Sequence, residues 1–168
     1  MPDTTRAASL SDEELETWAA VATLLEWLPA ALDGQLLKDS ALTHFEYGIL
    51  YALGTAERRT LRMSTLAGYS NSSLSRLSRA ATRLESKGWM RREPDPADGR
   101  YTLAILTDAG AAKVEQAAPA HVELVQRTVF DALTRAQVRQ LGEISRRVLA
   151  AIRADGAWAP PVRQQGGG

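Results

Sequence analysis

The sequence predicts a mainly α fold with a small β-hairpin wing, a winged helix-turn-helix flanked by helices at both ends. Three observations predict it. Apolar residues recur at helical spacing in the N-terminal and C-terminal thirds of the chain. Two short helical stretches meet at the turn-rich segment Gly68-Tyr69-Ser70-Asn71. A pair of β-favouring runs then encloses the turn cluster Pro94-Asp95-Pro96-Ala97-Asp98-Gly99.

The elements follow in order. Residues 1–10 are polar and expected to fray. Ser11, with Asp12, Glu13 and Glu14 behind it, reads as an N-cap, a capping-box carboxylate and an acidic first turn. Leu15, Trp18, Ala22 and Leu25 continue the helix, Pro29 is expected to kink it, and its end is expected near Leu37. A second helix is expected from about Thr43 to Gly54, with Phe45, Ile49, Leu50 and Leu53 inward. Leu61-Arg62-Met63 is short and extended, and Ser64 is expected to cap a brief helix ending at Tyr69. The next helix is expected from Ser72 to Lys87, stopped by Gly88. A strand over Trp89–Arg92, a tight Asp98-Gly99 turn and a return strand over Tyr101–Leu106 form the hairpin. Thr107 caps a helix expected to bend near Pro119. Thr134 caps the last one, striped by Val138, Leu141, Ile144, Val148 and Ile152. There is no internal repeat.

Bulk composition narrows the function. The 168 residues are 45% apolar and 24% charged, an ordinary globular balance. Absence of cysteine excludes disulfides, thiolate metal sites and thiol redox sensing. With only His44 and His121 as imidazoles, no metal site is expected, and no cofactor motif is present. No run of about 18 apolar residues occurs and no basic-then-apolar leader opens the chain, so a soluble, cytoplasmic protein with no membrane partner is expected.

Net charge is zero, yet the charge is unevenly placed: residues 1–55 sum to −7, residues 56–100 to +5 and residues 101–168 to +2. A basic middle segment is an electrostatic footprint for nucleic acid, although a solvated polar face would look the same. The helix within it is more specific. At about 100° per residue, Leu74, Leu77, Ala81 and Leu84 share one stripe. Burying that stripe turns Ser72, Ser75, Arg76, Arg79, Thr82 and Arg83 outward. Three arginines without an intervening acid are unusual for a merely soluble face, which mixes signs. Arginine pairs bidentately with guanine or phosphate, and short serines let the backbone approach. The alternative is a cationic face that covers an acidic neighbour such as the first helix. On the hairpin, Arg91 and Arg92 add charge and Arg100 stands near the tip, where it suits a minor groove; Asp98 is expected to hold its guanidinium or form the turn.

The run from Arg83-Leu84-Glu85-Ser86-Lys87-Gly88-Trp89 through Asp98-Gly99-Arg100 to Leu106-Thr107-Asp108-Ala109-Gly110 resembles the helix-to-wing-to-helix signature of MarR-family transcriptional regulators. Leu61–Ala67 and Ser72–Arg79 are similar to that family's scaffold and recognition helices. The resemblance is strongest over residues 42–113. It implies a homodimer reading pseudo-palindromic double-stranded DNA, most simply as a repressor. By position, Ser72, Ser73, Ser75, Arg76, Ser78 and Arg79 would contact the major groove or phosphates. Arg83 extends that face, Arg100 would enter the minor groove and Asp98 would partner it. The implied organisation is a flexible segment at 1–10, a dimerisation or linker helix at 11–41, the winged module at 42–107, dimerisation helices at 108–156 and a disordered tail at 157–168.

The terminal apolar stripes suit a partner helix, or equally an intramolecular core. Many relatives sense small aromatic or phenolic acids; here Trp27, His44, Tyr47, Tyr51 and His121 could line such a cleft, although aromatic residues at helical spacing also serve as ordinary core. Two other function classes compete with DNA binding. A winged-helix protein-interaction module with little DNA affinity would show weak salt dependence. An enzyme would need a convergent nucleophile, base or metal site, and no catalytic constellation is present: the Asp12–Glu16 carboxylates are explained by capping.

Overall fold

A computed structural model of the chain describes residues 9–153 together with Ala159 and Pro161. The expected disorder at 157–168, those two residues apart, and most of the 1–10 segment lie outside the described residues.

Helix α1 (Asp12–Ser40) opens with a full capping box: Ser11 Oγ accepts the Glu14 amide and the Glu14 carboxylate accepts the Ser11 amide. It runs through Pro29 past the expected end at Leu37 and stops where Ala41 turns left-handed, φ 53°. Helix α2 (His44–Thr55) has the same box, built from Thr43 and Glu46. A tight turn at Glu57–Arg59 leads to strand β1 (Thr60–Arg62). Helix α3 (Met63–Tyr69) begins directly from the strand, with Arg62 at its N-cap. Ser64 is therefore inside the helix, not its cap; the helix starts two residues earlier, with buried Met63 in its first turn.

After Asn71, left-handed at φ 44°, helix α4 (Leu74–Ser86) starts from Ser73, whose hydroxyl accepts the Arg76 amide. It ends in a Schellman motif. Gly88 sits at φ +71°, its amide reaches Glu85 O, and the Trp89 amide reaches Leu84 O at 3.0 Å. The buried stripe on α4 is Leu77, Ala80, Ala81 and Leu84. Leu74, expected to be buried, is 57% exposed, because it is the first helical residue and the core only covers the helix from Leu77 onward.

Strands β2 (Met90–Pro94) and β3 (Thr102–Leu106) pair with β1 in an antiparallel sheet of order β1-β3-β2, with Leu61 and Arg92 both opposite Ala104. The loop between β2 and β3 is longer than the tight Asp98-Gly99 turn expected. Gly99 lacks the positive φ of a type I′ turn, and the loop is closed by Asp95 and Tyr101, the Asp95 amide donating to Tyr101 O at 2.9 Å.

Helix α5 (Asp108–Val125) is capped by Thr107, whose hydroxyl also donates to Gly88 O at 2.7 Å. The end of α4 and the start of α5 are thus tied at one point. Helix α5 continues through Pro119. The irregularity expected there falls instead at a π-helical stretch, Gln126–Phe130, before α6 (Arg135–Ile152) begins from a Thr134–Gln137 capping box. The core lies between α2, α3, α4 and the sheet, with Leu36, Leu42, Ile49, Leu50, Leu53, Leu66, Leu77, Leu84 and Met90 fully buried. Helix α6 buries no residue, and Leu15, Trp18, Leu25, Ile144, Val148 and Ile152 are all more than half exposed.

Candidate nucleic-acid interface

The ten basic residues of 56–100 divide sharply once their partners are known. Seven lie within ion-pair distance of a carboxylate: Arg58, Arg59, Arg62, Arg83, Arg91, Arg92 and Arg100. Lys87 donates to Ala41 O and lies over the Trp89 ring. Like Lys87, the remaining two, Arg76 and Arg79, have no acidic partner among the described residues, and both are on α4.

Their surroundings follow from helical rotation. Arg79 and Ser75 sit about 160–200° around α4 from buried Leu77, so they face straight out. Arg76 and Arg83 lie on the flank toward α2. There the Arg76 guanidinium stacks 4.3 Å above the Phe45 ring, and Arg83 Nε donates to buried Glu46 at 2.7 Å. Burial pushes the Glu46 carboxyl up, but the Thr43 amide and Arg83 outweigh it and hold the group below its ordinary range. Asp33, Thr43 and Phe45 line an open hollow of about 420 Å³ with Arg76, Arg79 and Arg83.

The other expected contact residues are placed as follows. Ser73 is spent on the helix cap, and Ser72 shares a hydroxyl contact with Ser70 at 3.0 Å. Ser78 is turned toward the wing, accepting from Arg92 at 3.1 Å. Arg92 also donates to Thr82 and Glu85, so it bolts β2 to α4; Arg91 pairs with Glu93. Both arginines lie on the first strand as expected, and each is paired with a carboxylate on the protein. Arg100 projects from the wing loop, its side chain 84% exposed, with Nε and a terminal nitrogen donating to the two Asp98 oxygens at 2.9 and 2.7 Å. Those bonds hold Asp98 below its ordinary range.

Sequence reasoning missed the brace beneath the loop. Asp95 is buried there, accepts the Ala97 amide and the Arg62 guanidinium, and lies below its usual range chiefly through the first of these. Arg62 in turn stacks on Tyr101 at 4.3 Å. The signal was a lone acid between two prolines; its partner stands 33 residues away.

Of the five residues expected to form a ligand cleft, four come together. The His121 ring lies 4.6 Å from that of Tyr47 and 6.0 Å from that of His44, and Tyr47 stacks on Tyr51 at 6.3 Å. Nδ1 of both histidines is buried with no hydrogen-bond partner among the described residues. Burial lowers both imidazoles, Asp33 partly opposing this at His44, and His44 lowering His121 further. Trp27 does not join them: it is 75% exposed, about 140–180° around α1 from buried Leu32 and Leu36. Among the described residues no group of three or more His, Asp or Glu could hold a metal ion, and no helix is long and apolar enough to cross a membrane.

Comparison with known proteins bears on the same region. The sequence model of the MarR family matches residues 42–102. The fold is similar to Sco3205 of Streptomyces coelicolor, a MarR-family transcriptional regulator crystallised in complex with DNA. That protein is 41% identical at a TM-score of 0.85, over 94% of this chain and 98% of its own. The chain belongs to the MarR family. A second MarR-family regulator of that organism, AbsC, is 31% identical at a TM-score of 0.80, over 87% of this chain and 98% of its own. The HTH-type transcriptional regulator YdcH of Bacillus subtilis strain 168 is 32% identical over 101 residues, 59% of this chain and 68% of YdcH. As a MarR-family protein the chain is a DNA-binding transcriptional regulator, and the family match spans α2, the arginine helix and the wing.

Proposed function

We propose that the protein binds pseudo-palindromic operator DNA as a homodimer and represses transcription there, one α4 entering the major groove of each half-site and each Arg100 entering the flanking minor groove. The observation that carries this reading is the charge pairing: the two arginines of residues 56–100 that lack an acidic partner among the described residues, Arg76 and Arg79, both stand on α4, beside a wing whose exposed arginine is already aimed by Asp98. Ser72, Ser73 and Ser75 let the helix start approach the phosphates, and Ser78 and Arg92 keep wing and helix in fixed relation. The winged module is taken as 42–107, with 11–41 and 108–156 supplying the dimer.

Dimerisation is supported by the uncovered apolar faces of α1 and α6. A small aromatic effector is supported by the cluster of His44, Tyr47, Tyr51 and His121, whose orphaned imidazole nitrogens could bond to it. The cluster lies between α2 and α5, so occupying it would alter how the two α4 helices are spaced. A free-energy shift of about 1.4 kcal/mol between competent and incompetent dimers would change affinity tenfold.

Selection of genomic fragments by purified protein tests the reading, with the double variant Arg79→Ala/Arg100→Ala alongside. A pseudo-palindrome enriched by the native protein and lost in the variant is expected. A folded native protein that enriches nothing at low salt would point to a protein partner for this face. A reporter gene behind the selected site reads the sign of regulation.

A further inference from the structure

The three arginines of α4 are not equivalent. We propose that they divide the work of DNA binding. Arg76 and Arg83 are held at the edge of the hollow as a seat for one backbone phosphate, and Arg79 alone reads a base edge. The inference rests on the DNA-binding reading and assigns roles within it.

Two contacts carry it. The Arg76 guanidinium carbon lies over the Phe45 ring, 4.3 Å from its centroid, a contact that uses none of its N–H donors, and among the described residues no acid takes them. Glu46 takes the Nε proton of Arg83 and leaves the terminal nitrogens free. Both side chains are thereby fixed on the α2 flank, within about 20° of each other around α4, and away from the helix surface that would face the bases. A recognition helix lying in a major groove meets the phosphates with its flanks and the base edges with its outermost face. The hollow, lined by Thr43 and Phe45 as well as the arginines, has the position and charge for a phosphate. Asp33, its single acid, already accepts the His44 amide at 2.6 Å. Arg79, with no ion pair or hydrogen bond among the described residues, stays free to adjust to a base pair. Phe45 and Glu46 are therefore positioning residues for DNA binding.

The test measures binding to the selected operator and to an unrelated duplex of equal length, across a salt series. Native protein is compared with Arg76→Ala, Phe45→Leu and Arg79→Ala, with circular dichroism confirming each fold. Arg76→Ala is expected to weaken both duplexes by a similar factor and to flatten the slope of log affinity against log salt by about 0.9 for each phosphate no longer neutralised. Phe45→Leu, which keeps apolar volume but removes the π face, should move in the same direction by less. Arg79→Ala should weaken the operator by roughly 5- to 100-fold, spare the unrelated duplex and relax the preference at one position of each half-site. A slope unchanged in Arg76→Ala, or a base preference altered by Arg76→Ala and kept by Arg79→Ala, overturns the division while the operator binding of the native protein stands. A native protein that holds neither duplex overturns the function and the seat together.

Discussion

Arg92 Nε and a terminal nitrogen of the same guanidinium converge on one carboxylate oxygen of Glu85, tying the first wing strand to the arginine helix. The other terminal nitrogen reaches Ser78, and the one that meets Glu85 also donates to Thr82, so one side chain grips Ser78, Thr82 and Glu85 along the flank of α4. Arg92→Met keeps the aliphatic stem and removes the grip. The Glu85 carboxylate, held below its ordinary range first of all by the Arg92 hydrogen bond, would lose its partner while still largely covered. The expected cost is about 1–3 kcal/mol in urea unfolding, together with weaker operator binding even though Arg79 and Arg100 are untouched. An unchanged unfolding midpoint would show that wing and helix are held by the sheet alone.

Arg100→Ala removes an exposed side chain whose contacts are to its near neighbour Asp98. The urea unfolding midpoint should stay at the native value, because the pair is exposed and screened by solvent. Binding should fall most for operators flanked by A·T tracts, whose narrow minor groove concentrates negative potential. Competition between A·T- and G·C-flanked versions of one operator measures this, and equal losses on both would place Arg100 on phosphates instead.

Much of this was legible in local sequence rules. Ser11, Thr43, Thr107 and Thr134 announced helix starts, Gly88 announced an end, and the arginine spacing put three cations on one side of α4. Those signals act over three or four residues, and so they survive without knowledge of the fold. Ion-pair partners do not. Arg83 meets Glu46 across 37 residues and Arg62 meets Asp95 across 33, and nothing in periodicity says which cation finds which carboxylate. The basic total of the middle segment therefore overstated the free charge, and the cations available to DNA emerged only from the pairing. Leu74 misled because periodicity names a face but cannot say how far along a helix the core extends, and Trp27 because a long helix offers several faces and the core takes the one opposite it.

Gly110→Ala is expected to be among the most damaging single methyl additions. A Cβ at this position would fall well inside contact distance of the Trp89 carbonyl oxygen and 2.7 Å from Leu106 Cδ1. The oxygen belongs to backbone already fixed by the Thr107 amide, so it cannot swing aside. Helix α5 would have to lift from the end of α4, at an expected cost of about 3 kcal/mol or more. Thermal unfolding reads the loss, and a native-like midpoint would mean that the α4–α5 junction is softer than its hydrogen bonds imply.

The His44–His121 pair should make stability depend on mild acid. Burial lowers both imidazoles below the ordinary value near 6.5, so the unfolded chain takes up protons at a pH where the folded pair is still neutral. Stability is then fully present above that value and falls as pH drops through it toward the folded values. Asp33 opposes the effect at His44, and burial pushes the Tyr47 hydroxyl up, away from this range. Urea midpoints at about pH 7.5 and 5.5 measure the drop. His121→Phe, which keeps a ring beside Tyr47, should shrink it, whereas an equal drop in the variant would assign the dependence to other groups.

Val148→Glu tests how α6 is covered. Val148 is 56% exposed and Ile144, one turn before it, 58%, on a helix that buries nothing within its own chain. Half-exposed, those side chains forfeit about 1–1.5 kcal/mol each, which a second copy of the same helix could recover. Symmetry sharpens the test, since a two-fold interface presents each substitution twice and can bring the two new carboxylates close together in a drying contact. The native protein is expected to sediment as a dimer, and the variant as a monomer at the same concentration. The variant should also lose operator affinity, because a single winged module grips only one half-site. A dimer that survives the charge would move the interface off this stripe and toward Leu15, Trp18 and Leu25 on α1, where the same substitution can be repeated.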